Sequence, residues 1–263
     1  MPKTFSKNYA NRKKTSKFRT FLRVLLWILI AVVILFVGRF MADLLTGNMG
    51  GIGSGRVKLS GVELYVLSFG EFDDLNEAQA CAVWVENSGG AGYLYNTGKY
   101  MVVGRTYLSL SDAQKVQENL GTLRYDPSVI TLKVKSKSLK LKGLNNADKK
   151  AILNDLNSIK NILTKVAEID VSIDRNGLTN IGASSALNSL KTEVKEIKNH
   201  ITLVNLEYKN ENLNKVASYC SVVEDALDLA VNKLLVSTQE TSVCKYLLSE
   251  IELNYFNLVK QCS

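Results

Sequence analysis

The side chains that could carry covalent, redox or metal chemistry are few in this chain and lie far apart. It has four cysteines and a single histidine, His200. No CxxC pair, no histidine pair at a metal-ligand spacing and no nucleophile elbow occurs, so thiol–disulfide exchange, zinc binding and acyl transfer are not indicated. His200 lies in a charged helical stretch and is predicted to be a solvated surface residue. We therefore predict that the chain is not an enzyme and has no catalytic residue, metal site or cofactor.

The cysteines fall on core-facing positions of predicted helices, where a free thiol behaves as a small hydrophobic side chain. If Val236 and Ser237 form a hairpin tip, Cys220 and Cys244 are about 15 Å apart along the helix axis at about 1.5 Å per residue. A disulfide needs Cα atoms within about 7 Å. The sequence therefore predicts free thiols at Cys81, Cys220, Cys244 and Cys262.

The net charge of the chain is concentrated at its start. Residues 1–23 carry eight basic side chains and no acidic one, which equals the whole formal charge of +8. The rest of the chain balances 25 basic side chains against 25 acidic ones. A nucleic-acid-binding domain would be basic on its own face, so we expect no nucleic-acid partner.

An apolar run overlaps the end of this basic segment. Residues 21–42 would form about 33 Å of helix, enough for a membrane span, with Arg23 and Arg39 near its two ends. A cleaved signal peptide is the competing interpretation, but Gly38–Asp43 is a poor cleavage site. We predict an uncleaved transmembrane helix over 21–42 that contacts membrane lipid, with residues 1–20 as a basic cytoplasmic tail. The positive-inside rule then makes this a single-pass membrane protein with an extracytoplasmic C-terminal part.

Beyond the span, a glycine-rich stretch precedes two regions of different character. Residues 46–56 are predicted to be a flexible linker with a reach of about 15–20 Å. Residues 57–136 mix short β-type runs with helical pattern, whereas residues 145–262 are helical throughout. Pro2 and Pro127 are the only prolines, so nothing interrupts the long helices.

The first region contains six predicted elements in the order βαββαβ. Alternation and turn residues predict a strand at 62–69, a helix from 75 to Gly89, a hairpin of 93–96 and 99–103, a helix at 109–120 and a strand at 128–135. This is the ferredoxin-like arrangement, in which two helices cover one face of the sheet and leave the other uncovered. A sheet of this order also binds single-stranded RNA in another large family, but that family's glycine- and aromatic-rich third strand is missing, so RNA binding is rejected.

Three short motifs in this region follow a known pattern. Leu64–Phe72 is close to Tyr-x-Val-Gln-x-Gly-x-Phe, Tyr100–Gly104 to Tyr-x-Val-x-Val-Gly, and Ser109–Val116 to Ser-x-x-x-Ala-x-x-Val. These motifs resemble the SPOR domain, the sporulation-related repeat. The chain departs from the pattern at Ser68, which replaces the usual Gln, and at Arg105–Tyr107, which replaces Gly-Pro-Phe.

The resemblance implies a function as well as a fold. SPOR domains typically bind peptidoglycan, favouring glycan strands stripped of stem peptides at division sites, and many belong to single-span proteins with a basic cytoplasmic start. It also places Ser68 on the uncovered face, with Glu71 nearby. By alternation, Met101 and Val103 are expected to face the two helices.

The residues expected to meet a glycan follow from these assignments. With Met101 and Val103 inward, Tyr100 points outward, and Lys133 lies opposite buried Leu132 and Val134. Tyrosine suits sugars because its ring packs on their C–H faces and its hydroxyl forms hydrogen bonds; Tyr93 and Tyr95 share a side that the pattern does not assign. The candidate glycan-binding residues are Ser68, Glu71, Tyr93, Tyr95, Tyr100 and Lys133.

The second region shows sustained heptad spacing in four stretches, separated by breaks at 170–181, 209–212 and 236–237. Such spacing indicates helices packed side by side. We predict an all-α antiparallel four-helix bundle over 145–262, and a longer helix running through 209–212 would give three helices instead.

Two functions are expected from these features. The leading one is a membrane-anchored peptidoglycan-binding protein that acts at the cell-division or sporulation septum. The alternative is a single-span envelope interaction or scaffold protein that works through its bundle, with another envelope protein as partner. A membrane-bound sensor is disfavoured because the cytoplasmic tail is too small for an output domain. The leading function depends on a bare sheet face, and helices lying across the strands would remove it.

Overall fold

The computed structural model describes residues 57–120, 123–236 and 240–262. The predicted tail (1–20), transmembrane helix (21–42) and linker (46–56) lie outside this part. Within it, no helix is long and apolar enough to cross a membrane. The elements are β1 (Val57–Leu59), β2 (Val62–Phe72), α1 (Leu75–Asn87), β3 (Tyr93–Asn96), β4 (Tyr100–Tyr107), α2 (Leu110–Leu120), β5 (Ser128–Val134), β6 (Lys137–Leu139), α3 (Asn146–Asp174), α4 (Asn180–Tyr208), α5 (Glu211–Leu234) and α6 (Glu240–Gln261).

The main sheet has four antiparallel strands in the order β3–β4–β2–β5. The predicted sequence of strands and helices is confirmed, although β2 and β4 run three and four residues beyond their predicted ends. The β2–β4 register shifts on either side of Ser68, as at a β-bulge. A bulge bends and twists the strand that carries it.

A second, two-stranded sheet pairs β1 with β6 and was not predicted. Its register sets Val57 opposite Leu139 and Leu59 opposite Lys137. Val57 and Leu59 are buried against the core of the helical bundle. Strands of three residues have too few positions to show a period, so no sequence pattern indicated them. This small sheet joins the start of the described chain to the bundle.

Helices α3–α6 form the predicted antiparallel bundle. Asn145, Thr179 and Asn210 each cap a helix by accepting hydrogen bonds from backbone amides of its first turn. Lys209 adopts a left-handed conformation, with φ of 49°, and this ends α4 before α5 begins. The three-helix alternative is therefore wrong, and the described residues contain four bundle helices.

The expectation of an uncovered sheet face is also wrong, because α6 lies across it. Leu253 and Phe256 of α6 are buried against β2 and β4, in one cluster with Leu64, Val66, Tyr95, Met101 and Val103. Met101 and Val103 therefore face α6, whereas Val102 lies on the opposite face beneath α1, with Leu67, Phe69, Ala78, Cys81 and Val85. The sheet is covered on both faces.

The composition of α6 explains this arrangement. Its heptad positions, such as Leu248, Ile251 and Leu258, pack into the bundle core. Leu253 and Phe256 fall between these positions and form a second apolar stripe that faces the sheet. A helix that is hydrophobic on more than one side must be buried on more than one side, and α6 achieves this by packing between the sheet and the other helices.

Candidate functional site

Two of the predicted glycan-binding residues, Tyr93 and Tyr95, contact α6, and a third, Ser68, is buried. Ser68 is 1% exposed. The Tyr95 hydroxyl donates a hydrogen bond to Asn257 Oδ1 at 2.7 Å. The Tyr93 ring meets the Tyr246 ring edge to face, with centroids 5.2 Å apart, and burial raises the pKa of Tyr93 to about 12. Both tyrosines are therefore engaged by α6, whereas the Ser68 hydroxyl pairs with the backbone of Gly70. None of these three polar groups is presented to a ligand.

The other three predicted residues lie elsewhere. Tyr100 packs against the cluster beneath α1. Lys133 forms an ion pair with Glu63, on the face opposite to that of Leu132, its neighbour in β5. Glu71 is exposed near the end of β2. The six residues therefore do not lie together on either face of the sheet. The predicted glycan-binding surface is not formed.

The structure instead brings charged side chains together where α6 meets β4 and α3. We call Arg105, Asp170, Asp174, Lys245 and Glu252 the ionic cluster. Arg105 of β4 binds both aspartates of α3, bonding Asp170 and donating to Asp174 Oδ2 at 2.8 Å. Lys245 of α6 lies 3.2 Å from Asp174 Oδ1. The cluster therefore joins the sheet to two helices of the bundle.

Burial governs the electrostatics of this cluster. Asp170 is 0% exposed, and its burial raises its pKa to about 6 although Arg105 acts to lower it. Burial raises the pKa of Glu252 to about 7. The Thr106 hydroxyl is near enough to lower the Glu252 pKa somewhat, but its geometry falls short of a hydrogen bond. Both carboxyls therefore hold their protons more tightly than exposed carboxyls do.

Several atoms in and around the cluster have no hydrogen-bond partner. Among the described residues, five buried side-chain nitrogen or oxygen atoms lack a hydrogen-bond partner. Leaving such an atom unpaired costs about 1–3 kcal/mol. Hydrogen bonding at the interface between α6 and the sheet is therefore incomplete, and this makes the contact weaker than one formed by apolar side chains alone. These atoms are Arg105 Nε, Thr106 Oγ1, Asp170 Oδ1, Ser249 Oγ and Glu252 Oε2.

Two features of the sequence could have indicated this cluster. Arg105 stands where the chain departs from the SPOR pattern. Asp170 continues the 4–3 spacing of Leu163 and Val166 and so occupies a core position of α3. A charge at a core position needs a partner, although nothing in the sequence says which one.

The four cysteines and the single histidine lie in the bundle or, for Cys81, beneath α1. All four cysteines are buried and free, as predicted. Burial raises the pKa of Cys81 to about 11 and those of Cys220 and Cys244 to about 12, so these thiols are poor nucleophiles at neutral pH. His200 Nδ1 lies 2.6 Å from Asp155 Oδ2 at the bundle surface. The described part of the chain contains no metal-binding group of three or more His, Cys, Asp or Glu side chains.

Comparisons with protein-family models, with curated proteins and with solved structures give no match to this chain. The resemblance to the SPOR domain therefore stays a prediction based on three short motifs. What the chain does must be inferred from the geometry of the described residues and from the sequence pattern that precedes them.

Proposed function

We propose that this chain is a membrane-anchored interaction protein whose extracytoplasmic body binds another protein of the cell envelope. The observation that carries the proposal is the position of α6. It occupies the sheet face on which a SPOR-like domain would hold a glycan strand, so the sheet serves as a packing surface. Surfaces available to a partner then belong to the helices.

The contact between α6 and the rest of the body extends along most of the helix. Near its start, Ser242 donates to the Glu86 carbonyl at 2.8 Å and Lys245 to the Gly89 carbonyl at 3.0 Å. Near its end, Tyr255 donates to the Ser60 carbonyl at 3.1 Å. The 14 residues from Ser242 to Tyr255 span about 20 Å of helix. This length of contact favours a permanently covered sheet.

One end of the bundle exposes apolar side chains, which often mark a protein-binding site. We call Ile181, Leu235 and Val236 the distal tip; they are 76%, 60% and 85% exposed. A hydrogen bond from Asn180 to Glu240 Oε1, 2.7 Å long, brings the starts of α4 and α6 together at this end.

The distal tip lies far from the point where the described chain begins. The turn between α4 and α5 is at the opposite end of the bundle, and Asn210 of that turn donates to the Lys140 carbonyl beside β6 at 2.9 Å. Since β6 pairs with β1, the chain enters at that end, about 43 Å from the tip for a helix of 29 residues. An anchor preceding β1 would direct the tip away from the membrane, which favours a protein partner with an apolar contact surface.

A full-length fluorescent fusion in growing cells tests this proposal. We expect the wild-type fusion to concentrate at discrete sites such as the septum, and Ile181→Asp with Val236→Asp to spread it evenly along the membrane. Asn188→Asp with Asn199→Asp adds the same charge at exposed positions of α4 and should leave the pattern unchanged. An unaltered pattern in the tip variant, with normal expression, would contradict the proposal.

A second candidate function is the one implied by the SPOR resemblance, peptidoglycan binding by the sheet after α6 has left it. The unpaired buried atoms beside α6 favour it because they weaken the contact. Phe256→Ala should then make the full-length protein sediment with amidase-treated sacculi to a greater extent than wild type. If neither protein sediments, this second function is excluded; if wild type sediments strongly, α6 does not protect the sheet and the first proposal loses its basis.

A further inference from the structure

Positive charge is concentrated at the end of the body where the described chain begins. Residues 133–150 contain seven lysines and one acidic residue, Asp148. This segment runs from β5 through β6 to the first turn of α3, and Lys58 of β1 lies beside it because it pairs with Ser138. Although the chain after residue 23 has no net charge, its basic side chains are therefore concentrated in one segment.

Seven lysines at this end, which include Lys58 and Lys209 but not Lys133, are exposed, and among the described residues none of them forms an ion pair with a carboxylate. We define the lysine-rich end as Lys58, Lys135, Lys137, Lys140, Lys142, Lys150 and Lys209, all of which are exposed. Among the described residues, the ion pairs between lysine and carboxylate involve other lysines, such as Lys133 with Glu63 and Lys215 with Glu211. The nearby Asp148 accepts hydrogen bonds from Tyr208 and Asn145.

Two exposed leucines accompany the lysines. Leu203 and Leu206 lie on the last turns of α4, and they are 66% and 69% exposed. Lys209 follows directly, in the turn that contacts the segment after β6. A basic surface with a few apolar side chains beside it is the combination that binds the interface of an anionic bilayer, where lysines meet headgroups and apolar groups enter the acyl boundary.

The position of this surface favours lipid over other anionic material. The predicted transmembrane helix ends at residue 42, and the predicted linker has a reach of about 15–20 Å. Since β1 belongs to the lysine-rich end, this end of the body would stay within that distance of the bilayer, while the distal tip would be a helix length further out. Electrostatic attraction to headgroups acts over about 10 Å at moderate salt.

We propose that the lysine-rich end docks onto anionic lipid headgroups and so holds the body in a fixed orientation, with the distal tip pointing away from the membrane. The inference rests on the membrane anchor of the proposed function, and it adds the surface by which the body meets the bilayer. Each lysine near the surface contributes about a fivefold preference for the docked state.

Energy transfer in lipid nanodiscs tests the orientation with the full-length protein. A donor dye is attached at Ser138→Cys in the lysine-rich end or at Ser185→Cys near the distal end of α4, since the native cysteines are buried. The acceptor is carried by headgroups, and the discs contain phosphatidylcholine alone or with phosphatidylglycerol. We expect anionic discs to raise transfer from the Ser138→Cys label and to lower it from the Ser185→Cys label, and high salt to abolish both changes.

A matched pair of triple variants identifies the residues. Lys137→Gln with Lys140→Gln and Lys142→Gln should lower the preference for the docked state by about a hundredfold. Lys115→Gln with Arg175→Gln and Lys195→Gln removes the same charge from exposed positions elsewhere and should behave like wild type. Equal transfer in neutral and anionic discs would overturn the proposal.

Gel filtration separates this inference from the proposed anchor. Co-elution with neutral discs but no response to anionic lipid overturns the docking alone, and co-elution with neither kind of disc overturns both. Co-elution with anionic discs alone supports the docking and contradicts the anchor. If soluble poly(glycerol phosphate) binds in neutral discs with the same lysine dependence while anionic lipid has no effect, the surface belongs to a wall polymer and the lipid proposal is wrong.

Discussion

Arg105 of β4 joins the sheet to the bundle through two ion pairs. Its guanidinium bonds Asp170 and Asp174 of α3 and lies 5.3 Å from the centre of the Tyr107 ring. Asp170 is fully buried, so its charge is balanced chiefly by this one side chain. A buried ion pair adds little to stability compared with an apolar pair, but breaking it by removing one partner is costly.

Replacing Arg105 should therefore destabilise the whole body. We expect Arg105→Met to lower the free energy of unfolding by about 3–5 kcal/mol because Asp170 is left buried without a cation. Arg175→Met, at an exposed position just after α3, should change it by less than about 0.5 kcal/mol. Urea unfolding followed by circular dichroism measures both. Adding Asp170→Leu to Arg105→Met should restore most of the loss, and failure to do so would show that the ion pair is not the cause.

Glu252 makes stability depend on pH. Its pKa is raised by burial to about 7 in the folded chain, so the folded state holds this proton more tightly than the unfolded state does. The contribution is fully present below the unfolded pKa, near 4.5, and is lost as the pH rises through about 7. Glu252→Gln should match wild type near pH 4.5 and exceed it at pH 8, by about 3 kcal/mol at most. The exposed control Glu196→Gln should show no such trend, and a pH-independent gain for Glu252→Gln would contradict the assignment.

At the scale of elements, α6 determines how the two halves of the body meet. It belongs to the bundle by its heptad stripe and to the sheet by Leu253 and Phe256. The strands supply a matching apolar face through Leu64, Val66 and Met101. The apolar area on both sides is removed from water only when the three layers are assembled.

The sheet-facing stripe of α6 can be tested with a matched pair of leucines. Leu253→Ala removes a fully buried side chain and should cost about 2–5 kcal/mol through lost burial and a residual cavity. Leu229→Ala makes the same change at an exposed position of α5 and should cost much less than 1 kcal/mol. Thermal unfolding of the two variants compares them directly. Similar costs would mean that Leu253 is not packed between α6 and the sheet.

At the scale of the whole molecule, the shared helix should make the body unfold as one unit. Peptides from β2, residues 64–69, and from α5, residues 213–220, should lose amide protection at the same denaturant concentration. Hydrogen exchange of the full-length protein, followed by mass spectrometry, measures the amide protection of both peptides in one experiment. If the sheet lost protection well before the bundle, the two regions would be separate domains. That result would favour the second candidate function, in which the sheet becomes accessible.

Much of the local structure was predictable from the sequence. The order of strands and helices in the first region, the four bundle helices and the free buried cysteines are all confirmed. These features depend on periodicity, turn residues and spacing, which lie within short segments. The pairing of β1 with β6 was missed because each strand has three residues and their partners are about 80 positions apart.

Only the tertiary structure decided which faces meet, and this changed the functional interpretation. Alternation could not say that α6 covers one face of the sheet, nor that Met101 and Val103 face that helix. Arg105 and Asp170 were visible as charges at unusual positions, yet their pairing depends on contact between segments 65 residues apart. The local segment determines on which side of a strand or helix a side chain lies. Which of those sides is buried depends on the distant element that packs against it, because that packing removes apolar surface from water.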